Sequence, residues 1–233
     1  MTYRHTSALL VVDIQNDFLA RGGYYDEITR LKNAKGGQLS RADIDALAQL
    51  YLHPPPSCVI RDGYQELVSR VAAVAATTLA RKMPTIFVRT TYDPASCYRP
   101  PLFIAMPERK DYACHAGTWG SELVDPIKQL SSHRYAKVVE KHTFDAFFET
   151  ELRGYLRFCQ IDTLYVAGIE TNICVLCTVL SALTNGFATV VLEDCTATSV
   201  PELHEPALRI IEAAKGRRIS HREFLGSLPA ENQ

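Results

Sequence analysis

A thiol, a carboxylate and an amine each stand just beyond a short apolar run in this chain, and together they could form an activated nucleophile. Cys174 comes after the run 164–167 and the break at Gly168. It is followed by Val175, Leu176, Val179, Leu180 and Leu183 at helical spacing, with a stop at Asn185-Gly186. A cysteine between a strand and the first turn of a helix meets unpaired backbone N–H groups and the positive end of the helix dipole. Both lower a thiol's pKa and can hold an oxyanion. Asp13 ends the run 8–12, and Lys141 ends 138–140. Each has a plainer reading: Asp13 as a cap on the next helix, Lys141 as a solvated charge at the end of a strand. The sharper reading joins them. Cys174 attacks a carbonyl carbon, Asp13 takes the thiol proton and hands it to a leaving nitrogen, and Lys141 offsets the carboxylate's charge and favours thiolate. Backbone N–H groups of the turn would receive the oxyanion.

These groups meet only if their strands lie side by side. Strand patterns at 8–12, 85–89, 138–140, 164–167, 189–192 and 217–220 alternate with helical patterns such as 63–82, 149–158 and 203–214. The alternation predicts an α/β fold: a doubly wound (Rossmann-like), mostly parallel sheet of about six strands with helices on both faces. In such a sheet, strand ends converge where the strand order reverses. Residues 24–62 are the least regular stretch, with Lys35-Gly36-Gly37, a helical patch over 42–52 and Pro54-Pro55-Pro56. They read as a surface excursion, or as a roof over a site or padding at a subunit contact. The Pro- and Tyr-rich loop 90–114 offers Tyr92, Asp93 and Arg99 as substrate contacts or as solvated side chains. With no internal repeat or linker, 1–233 reads as one domain.

A length of 233 residues, 47% hydrophobic and 22% charged, suits a globular enzyme. A net charge of -1 argues against nucleic acid or an anionic membrane as partner. Seven scattered cysteines point to free thiols in a reducing cytoplasm. No run is long enough to span a membrane, and the opening residues are too polar for a signal peptide. The histidines (His5, His53, His115, His133, His142, His204 and His221) show no close metal-ligand spacing, so neither metal nor cofactor is expected.

Three motifs in order, DIQNDF after the first strand, KHTFDAFFET around Lys141, and GIETNICV around Cys174, resemble the isochorismatase-like cysteine hydrolases. The likeness extends from Ala8 to about Ser220 and its joint pattern is specific. It implies that Asp13, Lys141 and Cys174 are the catalytic triad. It also implies a non-proline cis peptide between Ile169 and Glu170, with the N–H groups of Glu170 and Cys174 as the oxyanion hole. A homodimer or homotetramer is implied as well. Glu170 replaces the alanine common there in nicotinamidases. The Asp-x-His metal pattern of nicotinamidases is missing too, since Asp93 is followed by Pro94 and Ala95. True isochorismatases lack the cysteine, so Cys174 favours amide hydrolysis. FDAFFETEL and VVLEDCTAT look most like the branch with ureidoacrylate amidohydrolase and biuret hydrolase, implying a small ureido or carbamoyl amide as substrate. Phe18, Tyr92, Phe144 and Trp119 are candidate pocket walls.

Within the same family a nicotinamidase-like or other small-amide hydrolase is the alternative, and two rivals from other classes stand beside this reading. Cys174 and Cys177 form a CxxC at a helix start, the geometry of thiol–disulfide exchange. Against it, Val175-Leu176 intervenes without a proline. A non-enzymatic scaffold would have no need of Asp13, Lys141 and Cys174 together.

Overall fold

Segments rich in valine, leucine and isoleucine pair into one parallel sheet in the computed structural model, which describes residues 6–40, 42–43, 57–92 and 113–229. Its strands are β1 (Ser7–Val12), β2 (Thr85–Thr90), β3 (Ala136–Lys141), β4 (Thr163–Ile169), β5 (Ala188–Ala197) and β6 (Arg217–Ile219). They lie in the order β3-β2-β1-β4-β5-β6, with every pairing parallel. This is the doubly wound order, and the chain switches direction of travel between β1 and β4. The expected fold class is therefore the one observed.

Side-chain alternation on β1 shows why a near-continuous apolar run makes a central strand. Leu10 and Val12 enter the core on one face of the sheet, Leu9 and Val11 the core on the other. Both faces need covering, and helices do it. In chain order these are α1 (Asn16–Leu19), α2 (Tyr24–Ala34), α3 (Gln65–Ala80), α4 (Asp125–Ser131), α5 (Leu152–Phe158), α6 (Leu176–Thr184), α7 (His204–Ala213) and α8 (His221–Ser227). Leu152, Leu156, Val179, Leu208 and Ile211 of α5, α6 and α7 seal one face. Val71, Val74, Leu79, Ile127 and Phe224 of α3, α4 and α8 seal the other. Each fully buried aliphatic side chain of this kind contributes about 1.5–3 kcal/mol.

The structure departs from the sequence reading in three places. Residues 24–34, read as irregular, form α2; none of its side chains is fully buried, so it lacks the apolar stripe that betrays a helix. On α6 the buried residues are Thr178, Val179 and Ala182, while Leu176, Leu180 and Leu183 are only partly covered. The helix starts later than expected, because residues Thr171–Val175 make a wider π-helical turn first and rotate the face. The short α8 follows β6 and was not anticipated; Ser220 caps it by accepting the Glu223 N–H. Residues 44–56 and the loop residues Asp93 and Arg99 lie outside the described residues.

At the centre of the sheet, β1 and β4 approach closely at Gly168. A Cβ there would lie 2.0 Å from the Val12 carbonyl oxygen, and φ is +126°. Only glycine meets both demands. The register between β4 and β5 shifts at the same point.

Candidate active site

Asp13 sits where β1 leaves the sheet. Its N–H donates to the Val88 carbonyl at 3.0 Å, and its φ of 54° is a left-handed conformation that aspartate tolerates better than most residues. It does not cap α1, whose N-cap is Gln15 with no side-chain cap bond. That disposes of the plainer reading of this residue. Lys141 is the last residue of the edge strand β3. It is completely buried, so it is no solvated strand end either.

The ammonium of Lys141 is the hub of the site. Nζ lies 2.7 Å from Asp13 Oδ2. It donates to Thr90 Oγ1 at 2.6 Å, to the Thr143 carbonyl at 2.9 Å and to Cys174 Sγ at 3.4 Å. Three N–H bonds thus serve the hydroxyl, the carbonyl and the sulfur, while Asp13 Oδ2 receives the charge without a well-angled hydrogen bond. Asp13 Oδ1 accepts the Thr90 hydroxyl at 3.1 Å. Asp13, Lys141 and Cys174, expected to meet from three strand ends, are brought together within these distances.

Cys174 lies in the π-helical turn after β4, almost buried. The thiol pKa expected to fall instead rises. Burial pushes it up; Lys141 pulls it down, and Asp13 adds to the rise. Desolvation and the neighbouring carboxylate outweigh the ammonium, so the resting nucleophile is a thiol beside an ion pair. Burial works to lower the Lys141 pKa, but Asp13 and Cys174 outweigh it and hold the amine charged.

The peptide joining Ile169 to Glu170 is cis. The Glu170 carboxylate accepts the Ser199 N–H at 2.5 Å, tying the turn after β4 to the segment after β5. Around the thiol stand two phenols whose pKa values are raised. Burial is the main cause for Tyr25, followed by Glu170 and Cys174; for Tyr92 it is burial, then Cys174 and Asp13. Tyr25 comes from α2, so the stretch after β1 brings at least one side chain close enough to Cys174 to feel its charge. Phe18 packs edge-on to Tyr25 with ring centroids 5.3 Å apart. Phe144 is half-exposed just after Lys141. Trp119 is partly buried, and its carbonyl accepts from Asn16 Nδ2 at 2.9 Å.

Sequence reasoning missed Thr90, Gln15 and Tyr25. Gln15 holds Thr90 from both sides: its Nε2 donates to the Thr90 carbonyl and its Oε1 accepts the Thr90 N–H, each at 2.8 Å. A Thr-Thr pair at the end of β2 carries no visible mark of this role; only the motif position of Gln15 could have prompted a search. Among the described residues, Asp194, Cys195 and His221 could hold a metal, with ligand atoms within 4.8 Å of one another. Asp194 already accepts the His221 N–H and meets its ring Nδ1 at 2.5 Å.

A family profile described as the isochorismatase domain matches residues 7–223. The chain belongs to the isochorismatase family. Within this family it is 27% identical over 225 residues to the ureidoacrylate amidohydrolase RutB of Methylobacterium radiotolerans, covering 91% of this chain and 75% of that one. It is 28% identical over 209 residues to a probable inactive nicotinamidase of Arabidopsis thaliana, covering 87% and 85%. In fold it is similar to nicotinamidase PncA from Bacillus subtilis, with a TM-score of 0.70, 22% identity, and 93% and 100% of the two chains covered. The protein is an isochorismatase-family hydrolase. No helix among its described residues is long and apolar enough to cross a membrane.

Proposed function

We propose that this hydrolase cleaves a small ureido- or carbamoyl-type amide through a thioester on Cys174, releasing ammonia or carbamate. The observation that carries the reading is that one buried ammonium, Lys141 Nζ, lies within 2.7 Å of Asp13 Oδ2 and 3.4 Å of Cys174 Sγ. A structural ion pair has no use for a thiol at its third corner. Similarity to a ureidoacrylate amidohydrolase over nine-tenths of the chain supports the substrate class.

In the first half-reaction the thiol proton passes to Asp13 Oδ2 as sulfur bonds to the carbonyl carbon, and the C=O electron pair moves to oxygen. Backbone N–H groups of Glu170 and Cys174 stabilise that oxyanion. The intermediate collapses with loss of the C–N bond, Asp13 protonating the departing nitrogen. Water then attacks the thioester. Asp13 takes its proton, the C–S bond breaks and the sulfur regains the proton. Lys141 keeps the carboxylate and the transient thiolate paired with positive charge throughout. Because the resting thiol is neutral, no charged nucleophile has to be stripped of water before the amide binds. Free thiols at Cys58, Cys114, Cys159, Cys174, Cys177 and Cys195 suit a reducing cytoplasm.

The test is Cys174→Ala. Ammonia release from ureidoacrylate, biuret and carbamoyl amino acids should vanish, and the urea unfolding midpoint should stay close to wild type. Turnover by a folded Cys174→Ala protein would defeat the proposal.

A further inference from the structure

Thr90 occupies the strand between the two charged partners. It is the last residue of β2, in register with Lys141 on β3, and 1% exposed. Its hydroxyl touches the ammonium on one side, at 2.6 Å, and Asp13 Oδ1 on the other, at 3.1 Å. The direction of both hydrogen bonds follows from chemistry alone. An ammonium only donates and an ionised carboxylate only accepts, so the one hydroxyl proton must point at Asp13. Gln15 clamps the Thr90 backbone on both sides, which fixes where the hydroxyl sits.

We propose that Thr90 is a positioning residue that decides which oxygen of Asp13 takes the proton: by occupying Oδ1 with its hydroxyl and drawing off one Lys141 N–H, it leaves Oδ2 to receive the thiol's proton. The inference rests on the thiol chemistry proposed above. A proton arriving at Oδ2 leaves Oδ1 an acceptor, and the Thr90 bond survives the transfer. A proton at Oδ1 would confront the hydroxyl proton and force the network to reorganise. The Lys141 ammonium meets Asp13 Oδ2 at 2.7 Å as an ion pair without a well-angled hydrogen bond, so a lone pair of Oδ2 stays available for the thiol's proton.

Among the described residues the titratable groups facing Asp13 are Lys141 from β3, Cys174 from the turn after β4, and Tyr92 and Cys114 from the segments after β2. Burial lifts Tyr92 and Cys114 far enough to keep both neutral near neutral pH. The alkylation profile of Cys174 against pH therefore reads the proton that the thiol must give up to its neighbours. A carboxylate that loses a donated hydrogen bond holds a proton more tightly.

The experiment compares Thr90→Val, which keeps the shape and loses the hydroxyl, with Thr90→Ser, which keeps the hydroxyl. The probe is iodoacetamide, with alkylation of the Cys174 peptide followed by mass spectrometry across pH. Thr90→Val should move the acid limb up by roughly one to two pH units, and Thr90→Ser should leave it in place. Ammonia release from ureidoacrylate should lose kcat, with KM unchanged, since Thr90 is sealed from substrate. A Thr90→Val limb that stays put in a folded protein overturns the inference, and so does a Thr90→Ser limb that moves as far as that of Thr90→Val. Should Thr90→Val fail to fold, Thr90→Ala supplies the missing hydroxyl-free profile, and the Thr90→Ser outcome remains decisive. If the wild type releases no ammonia from any carbamoyl compound, the reading of the reaction fails while the alkylation profile still decides the role of Thr90.

Discussion

Removing one charge from the Asp13–Lys141 pair should be far more damaging than removing both. At 2.7 Å and an effective dielectric constant of about 20, the attraction is about 6 kcal/mol. Most of that offsets the cost of taking two ions out of water, so the pair's net worth is small. Its disruption is another matter. Lys141→Met strands a carboxylate that is wholly buried, and Asp13→Asn strands a buried ammonium; each should cost about 3–5 kcal/mol. Combining the two substitutions leaves no unpaired ion, so the double variant should fall short of the summed loss by about 2 kcal/mol or more. Urea unfolding followed by circular dichroism measures all four proteins. Additivity within about 0.5 kcal/mol would show that the two groups do not share charge, and would refute the reasoning. The pH dependence supplies an independent sign. Lys141 has a raised pKa when folded, so its contribution is complete below the unfolded value of 10.5 and is lost only as pH climbs beyond it. The gap between wild type and Lys141→Met should be flat from about pH 7 to 10 and shrink above that range.

Two other substitutions probe the frame and the rival chemistry. Gly168→Ala places a methyl 2.0 Å from the Val12 carbonyl at a φ of +126°, and should cost more than about 4 kcal/mol; a loss under about 1 kcal/mol in urea unfolding would mean that β1 and β4 can separate there cheaply. Cys177→Ala should leave ammonia release at the wild-type rate, because Cys177 is half-buried on α6 and makes no hydrogen bond to the Asp13–Lys141–Thr90 network among the described residues; loss of turnover would favour dithiol exchange through the CxxC pair instead.

The sheet was legible because its central strands are buried on both faces and read as unbroken aliphatic runs. Asp13, Lys141 and Cys174 were legible because each interrupts such a run or its sequel with a group that the core does not need. Strand limits were less so: β5 runs on to Ala197 through Glu193 and Asp194, which no hydrophobic pattern announces. The helix α2 escaped notice for the opposite reason, since it carries no fully buried side chain and is held by local backbone bonds, a Glu27–Arg30 pair and the packing of Tyr25 on Phe18 rather than by an aliphatic stripe. The sign of the Cys174 shift was misread because position at a turn says nothing of depth. Burial is a property of the whole fold, and it outweighs the local dipole. Thr90 stayed hidden because a threonine ending a strand is ordinary until the neighbouring strands bring an ammonium and a carboxylate to either side of it.

The outermost position of β3 has a consequence for the amine itself. Asp13 follows β1, two strands away, and neighbouring strands are spaced about 4.8 Å apart. Lysine's four-carbon stem must therefore cross the whole width of the intervening strand before its nitrogen reaches the acid. An amine on a shorter tether would halt above Thr90, and a guanidinium would bring a flat fork where four separate acceptors surround the nitrogen. The reach of one side chain sets how far apart the margin and the middle of this sheet can be while still sharing a reaction.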